Sequence, residues 1–259
     1  YPLGLELSKS NKLGCSEGQE ICFEVLSTIP HDPTSFTQGL TYSNGILYES
    51  TGQYGSSKVR KLDPVTGDVL LSMDMDGRYF GEGMTIADNN QLVQITWKEQ
   101  QGFVYDSSTL QRTGDFVYTT NTNEGWGITY IPELNQLVVS DGSDFLHFWN
   151  AAGISNNFQE IKRIQIKRKD GSTIQNINEL EYYHGWILAN IWYSDIILQI
   201  HPETGLVAHE YDFSALRPLS ERVGDVLNGI SVSDKDDELF VTGKLWPKIY
   251  RVHIRGGVR

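Results

Sequence analysis

Apolar residues in this chain come in short runs of strand length, and the runs recur in pairs. The first run of each pair opens on a polar or aromatic residue followed by a small one, an apolar one and Thr or Ser. It reads Gln38-Gly39-Leu40-Thr41, Glu82-Gly83-Met84-Thr85, Trp126-Gly127-Ile128-Thr129 and Asn228-Gly229-Ile230-Ser231, with a looser copy at Asn178-Glu179-Leu180-Glu181. The second run follows after a turn signal such as Ser43-Asn44-Gly45 or His184-Gly185, as a hairpin requires. These second runs are Ile46 to Glu49, Leu92 to Trp97, Leu137 to Ser140, Ile187 to Trp192 and Leu239 to Lys244. Third runs close several units, as in Val59 to Leu62 and Ile196 to Ile200.

The anchors at residues 39, 83, 127, 179 and 229 are spaced by 44, 44, 52 and 50 residues, a period that belongs to propeller blades and not to helical repeats. An all-β, five-bladed propeller is therefore expected, with residues 1–259 forming one domain and residues 1–20 an extension ahead of it. A blade cannot bury its faces alone, and no Pro/Gly/Ser-rich linker divides the array. A ring must also close. The alternating segment Ile21 to Ile29 precedes the first anchor and is expected to pair with Lys248 to Ile254 as the outer strand of the last blade, hiding both edges. The longest non-repeating stretch, Gly205 to Asn228, is expected to lie over the rim, with a short helical turn at Phe213 to Leu216.

Charge narrows the partners. With 21 Lys and Arg against 33 Asp and Glu the formal charge is −12, which repels phosphate backbones and anionic lipid. Nucleic acid is not an expected partner, and no run of about 18 apolar residues marks a membrane span. The one basic cluster, Lys162-Arg163 with Lys167-Arg168-Lys169, alternates with isoleucines and suits the solvated face of an edge strand. The two cysteines, Cys15 and Cys22, lie close together. A local disulfide is the expected reading, and a zinc half-site lacks nearby histidines to complete it. Such a bond needs an oxidising compartment, so a secreted or vacuolar protein is expected, its signal removed.

Ring geometry supplies the chemistry. The innermost strand of each blade lines the channel, so Gln38, Glu82, Trp126, Asn178 and Asn228 should form a circle at one mouth. The ends of the second strands return to that mouth and should add Glu49, Trp97, Trp192, Lys244 and Trp246. One carboxylate, one ammonium, amides and indoles around one opening make a small-molecule site. The glycines on either side of Glu82 leave its carboxylate uncrowded.

Eight segments occur together in order: Phe36-Thr37-Gln38-Gly39-Leu40, Phe80-Gly81-Glu82-Gly83-Met84-Thr85, Thr96-Trp97-Lys98, Glu124-Gly125-Trp126-Gly127, Ser140-Asp141-Gly142-Ser143, Asn178-Glu179-Leu180-Glu181, Asn190-Ile191-Trp192 and Leu227-Asn228-Gly229-Ile230. Together they resemble the plant and bacterial type of glutaminyl cyclase from about Phe36 to Arg251. The resemblance implies a five-bladed propeller that converts N-terminal glutamine of peptides and proteins to pyroglutamate with release of ammonia. It also implies no cofactor and no metal, unlike the zinc-dependent animal enzymes. By the same resemblance Glu82 is the main acid/base residue, and Lys244 and Asn178 complete the pocket, where they are expected to act beside it in catalysis. Phe36, Gln38, Trp97, Trp126 and Trp192 bind substrate. A monomer is expected. Two other classes compete: a propeller that only binds a ligand or protein, and a metal-dependent lactonase-like propeller, which needs several carboxylates where the anchor circle offers one. A serine hydrolase is disfavoured because all six histidines lie away from the anchors.

Overall fold

The computed structural model of the protein describes residues 22–152, 157–217 and 226–256. Among these residues the strands form five four-stranded antiparallel sheets. The first blade is β1's successor in the chain: after β1 (Cys22–Pro30) come β2 (Thr37–Ser43), β3 (Ile46–Thr51), β4 (Lys58–Leu62) and β5 (Val69–Asp74). The second blade is β6 (Gly81–Ala87), β7 (Gln91–Thr96), β8 (Gln101–Asp106) and β9 (Arg112–Val117). The third is β10 (Ile128–Ile131), β11 (Gln136–Ser140), β12 (Phe145–Asn150) and β13 (Glu160–Gln165). The fourth is β14 (Ile177–Tyr183), β15 (Trp186–Ile191), β16 (Ile196–Ile200) and β17 (Val207–Asp212), and the fifth holds β18 (Leu227–Val232), β19 (Glu238–Gly243) and β20 (Lys248–Arg255). Innermost strands touch in the cyclic order β2, β6, β10, β14, β18 and back to β2. The chain is a five-bladed propeller.

Ring closure follows the sequence expectation. Strand β1 pairs antiparallel with β20, from Cys22 opposite Arg255 to Pro30 opposite Lys248, and becomes the outer strand of the fifth blade. The last blade thus takes strands from both ends of the chain, and separating them would expose two unpaired edges. Cys22 is buried at the start of β1. Cys15 lies outside the described residues, and the expected Cys15–Cys22 pairing with it.

Burial explains which strands the sequence announces. Inner strands are sandwiched between neighbouring blades, so five consecutive residues of β2 and of β6 are buried, whereas outer β5 is exposed or half-buried throughout. Each blade interface holds its own apolar core. Between the second and third blades Val93, Ile95 and Phe116 pack with Leu137, Val139 and Trp149. Between the fifth and first, Ile29, Phe240 and Ile249 pack with Leu40 and Leu47. Outer strands bury little and leave a weak pattern. Hence part of the stretch expected to be non-repeating is the outer strand β17, while Ser214–Leu216 is the short helical turn expected there. Residues 218–225, also in that stretch, lie outside the described residues. The basic cluster begins in β13, the outer edge of the third blade, as its alternation suggests.

The fourth blade departs from the others at its anchor. Where the other four blades have glycine, Glu179 sends its carboxylate across the channel, accepting the Ile230 N–H at 2.9 Å and the Leu40 N–H at 3.4 Å. Two residues on, Glu181 accepts the Val232 N–H at 2.8 Å. Burial, with Glu181 close by, pushes Glu179 well above the usual carboxylate range, and burial raises Glu181 to about 8.

This sets a pH dependence with a definite sign. A raised carboxyl pKa favours the folded state below the ordinary value of 4.5, and that contribution is lost as the pH climbs toward about 8. Glu181→Gln replaces the group by a permanently neutral acceptor. The melting temperature of the variant relative to the parent should therefore improve from pH 5 to pH 8. A difference that is flat or worsens across that window would refute the assignment.

Candidate active site

Four blades share a local irregularity at the anchor. The register between first and second strands slips between Thr37 and Gly39, Gly81 and Met84, Ile177 and Leu180, and Leu227 and Ile230. Such a bulge inserts an extra residue and re-aims a side chain. Gln38, Glu82, Asn178 and Asn228 occupy these slips. Just after them the inner strands crowd the axis: a Cβ on Gly39 would lie 2.5 Å from the Met84 nitrogen, and one on Gly83 2.7 Å from the Ile128 nitrogen. Only glycine permits that approach.

At the mouth so formed is a cavity of about 230 Å3. Phe36, Gln38, Glu82, Trp97, Trp126, Asn178, Trp192 and Lys244 all line it, so the catalytic and substrate-binding residues that the resemblance implies converge there. Phe80 and Gln53 line it as well. Drug-sized pockets run to about 300–1,000 Å3, so this one suits a single residue's side chain and amine.

The walls are aromatic. Phe36 meets Phe80 edge-on with centroids 6.2 Å apart, Phe80 meets Trp97 at 5.5 Å, and Trp126 meets Trp192 edge-on at 5.3 Å. Each indole is half-buried, in contrast to Trp149 and Trp246, which are core.

The polar groups are few and held from behind. Gln38 donates its amide N–H to Glu82 Oε1 at 2.9 Å and accepts from Asn228 Nδ2 at 3.3 Å, which fixes the amide's orientation. Ser50 Oγ donates to the Glu82 carbonyl and is itself bound by Gln94. Asn178 is buried, with Oδ1 lacking a partner. Lys244 is 4% exposed and lies with Nζ 4.8 Å from the Phe36 ring centroid, a cation–π contact. Its loop is clamped to the first blade. The Leu245 N–H bonds the Ser35 carbonyl, and His31 donates from Nδ1 to the Trp246 carbonyl and from Nε2 to Glu49.

Glu82 and Lys244 sense one another's charge without a direct ion pair. Burial pushes Glu82 well above the usual carboxylate range; Lys244 opposes that shift, and Glu124 and Glu99 add to it. Burial likewise brings Lys244 down to about 8 against the pull of Glu82. Displacing an acid upward and a base downward in one cleft brings both toward the pH range in which groups exchange protons.

Three expectations need correction. Glu49 is not at the mouth: it is fully buried in the first blade, where His31, Thr37 and Arg60 overcome the effect of burial and hold its carboxyl below the usual range. Trp97, Trp192 and Lys244 each come one residue after the second strand ends, and the matching residue of the first blade is Gly52. A Cβ there would fall 2.2 Å from the Phe80 ring, so the glycine makes room for an aromatic wall supplied by the next blade. Trp246 also turns away, its indole packed over Gly243 inside the last blade's core. Asn228 supports Gln38 without lining the cavity. Gln53 carries no signal in the repeat, since it follows the strand in a turn where its φ is 114°.

No histidine lines the cavity among the described residues, and Glu82 is the only carboxylate that does. His147 is occupied between Asp141 and Glu160. A family model described as glutamine cyclotransferase matches residues 3–254. The chain belongs to the glutamine cyclotransferase family. The match extends ahead of Phe36, where the sequence shows no motif of its own. A glutaminyl-peptide cyclotransferase of Arabidopsis thaliana is 38% identical over 237 residues, covering 90% of this chain and 71% of that protein. The crystal structure of the glutaminyl cyclase of Myxococcus xanthus matches with a TM-score of 0.79 and 34% identity, covering 90% of this chain and 96% of that one.

The two classes of tryptophan should respond differently to truncation. Trp97→Ala, Trp126→Ala and Trp192→Ala should lower cyclotransferase turnover while the melting temperature stays near that of the parent. Trp149→Ala should instead cost about 3–5 kcal/mol of stability, since it opens a core cavity. Parallel turnover and thermal-unfolding measurements check this, and wholesale unfolding of all three wall variants would count against it.

Proposed function

We infer that this chain is a glutaminyl-peptide cyclotransferase, converting the N-terminal glutamine of peptides and proteins to pyroglutamate with release of ammonia. The observation that carries this reading is a single buried carboxyl, Glu82, set by Gln38 in a residue-sized aromatic pocket with Lys244 beside it and no direct ion pair between the two. Nucleophile and electrophile belong to one residue of the substrate. The enzyme need only hold a near-attack conformer, stabilise an oxyanion and move a proton.

The free α-amine of the substrate attacks its own side-chain amide carbon, forming the ring C–N bond and a tetrahedral oxyanion. Glu82 as carboxylate takes the proton of the attacking amine and returns it to the departing nitrogen, which leaves as ammonia when the C–N bond breaks. Burial keeps its proton affinity high enough for both steps, worth roughly 10²–10⁴-fold. Lys244 in its charged form faces the amide oxygen and stabilises the developing negative charge. Asn178 offers an amide whose Oδ1 is unsatisfied and can orient the substrate amine. The indoles grip the aliphatic stem and exclude water. Every group named comes from one chain, in keeping with action as a monomer.

Mass spectrometry of a Gln-initiated peptide, following loss of ammonia across pH, tests the reading. The substrate amine, with a pKa near ~8, is protonated in acid, so activity falls there. Lys244 loses its proton above about 8, so activity falls again in base. Glu82→Gln should lower kcat by at least ~10²-fold with little change in KM. Lys244→Met should lower the maximum and abolish the alkaline fall, and EDTA should leave the rate unchanged. Near-parental rates in Glu82→Gln, or abolition by EDTA, would sink the mechanism.

We further propose that the protein works in the secretory pathway, secreted or vacuolar, with Cys15 and Cys22 joined. Their short separation and the absence of other cysteines support this. Titration of the unfolded, unreduced protein should find no thiol; two thiols per chain would overturn the pairing.

A further inference from the structure

The aromatic wall of the pocket has one break. Ring contacts run from Phe36 through Phe80 to Trp97, and again from Trp126 to Trp192, but Trp97 and Trp126 are not stacked on one another. Glu124 fills the break. A single carboxylate oxygen, Oε2, accepts the indole N–H of Trp97 at 2.8 Å and that of Trp126 at 2.9 Å. Its other oxygen lies 3.7 Å from Lys98 Nζ, which itself sits 3.8 Å from the Trp97 ring centroid.

The segment is held in place by its backbone. The Glu124 carbonyl accepts from Thr120 Oγ1, the Glu124 N–H bonds Thr122 Oγ1, and the Gly125 N–H bonds the Trp97 carbonyl at 2.8 Å. Thr122 is in turn tied to Asp141, which His147 holds from within the third blade. The carboxylate is therefore presented by a fixed loop, not by a free side chain at the rim.

We propose that Glu124 is a positioning residue of the cyclisation site, setting the planes of Trp97 and Trp126 so that the substrate's glutamine side chain is folded toward its own amine. An indole N–H can only donate, and leaving it half-buried without a partner is unfavourable. One anionic oxygen serves two such donors through charge-assisted bonds, and so couples a wall of the second blade to a wall of the third. In an intramolecular reaction the conformation of the bound residue is most of what the enzyme controls, and misplacement by about 1 Å can cost about 10²-fold. Glu124 is not among the residues lining the cavity, so it acts through the indoles.

The inference rests on the cyclotransferase reading for its kinetics, but its structural half does not. Tryptophan fluorescence of the ligand-free protein reports the indole environment whether or not the parent cyclises glutamine. Glu124→Ala should shift the emission and lower kcat/KM by about ten- to a hundred-fold. Glu124→Gln retains an oxygen acceptor and should restore both to within a few-fold of the parent. Trp97→Phe with Trp126→Phe removes the N–H groups and keeps rings, and in that background Glu124→Ala should add little further loss. If Glu124→Ala does not fold, the Gln variant and the Phe background with Glu124→Gln decide. Fully additive losses, a Gln variant as impaired as the Ala variant, or an unshifted emission with parental kcat/KM would each overturn the proposal.

Discussion

Crowding at the axis of the ring is the constraint on which the rest of this structure depends. Five inner strands meet so closely that Cβ atoms at Gly39, Gly83 and Gly127 would strike the backbone of the next blade; the last of these would come within 2.1 Å of the Asn178 carbonyl. The chain answers with glycine at the pinch and a register slip beside it, and the slip turns the preceding residue toward the channel mouth. Packing and chemistry are thus one problem. The same small residue that lets the blades close stands beside Glu82 and Gln38 at one opening, and in the fourth blade the slip alone brings Asn178 to it.

The glycine in the fourth blade is replaced by Glu179, and the consequence is electrostatic. Its carboxyl takes backbone N–H groups from two other blades, a cross-channel tie that a glycine could not make. The channel interior beneath the pocket therefore contains buried carboxyls with raised proton affinity, Glu179 and Glu181, as well as Glu82 at its mouth. All three owe the shift first to burial, but only Glu82 lines a cavity open to substrate. A raised pKa by itself does not distinguish a catalytic carboxyl from a structural one. Access and the neighbouring ammonium do.

Much of this was legible in the sequence, and the reason is the repeat. Inner strands are buried on both faces, so their apolar runs and anchors stand out, and the period gives the blade number. Closure by β1 could be argued because an alternating strand ahead of the first anchor has no partner except the last strand. What was illegible lay where the repeat is degenerate. Outer strands such as β17 bury too little to announce themselves, and β3 runs on to Thr51 past the end of its apolar run, so Gly52 and Gln53 take the place expected for Glu49. Trp246 departs from its expected place because of local packing. Composition does not say whether an indole faces a cavity or folds back over a glycine such as Gly243.

The architecture also suits the reaction it is inferred to serve. A substrate that carries both reacting groups needs no second binding site; it needs a shape that forbids the extended conformation, a charge to face the oxyanion and a group that returns the proton it takes. Side chains drawn from five rigid sheets can define such a shape without a lid. Their planes must still be set, because a half-buried ring on a loop can rotate about χ1 and χ2 unless something holds its edge. In this pocket the edges are held by neighbours outside the cavity: Asn228 behind Gln38, His31 and Glu49 behind the Lys244 loop, and Glu124 behind two indoles. The residues that line the pocket are few, and the precision asked of them is supplied one layer farther out.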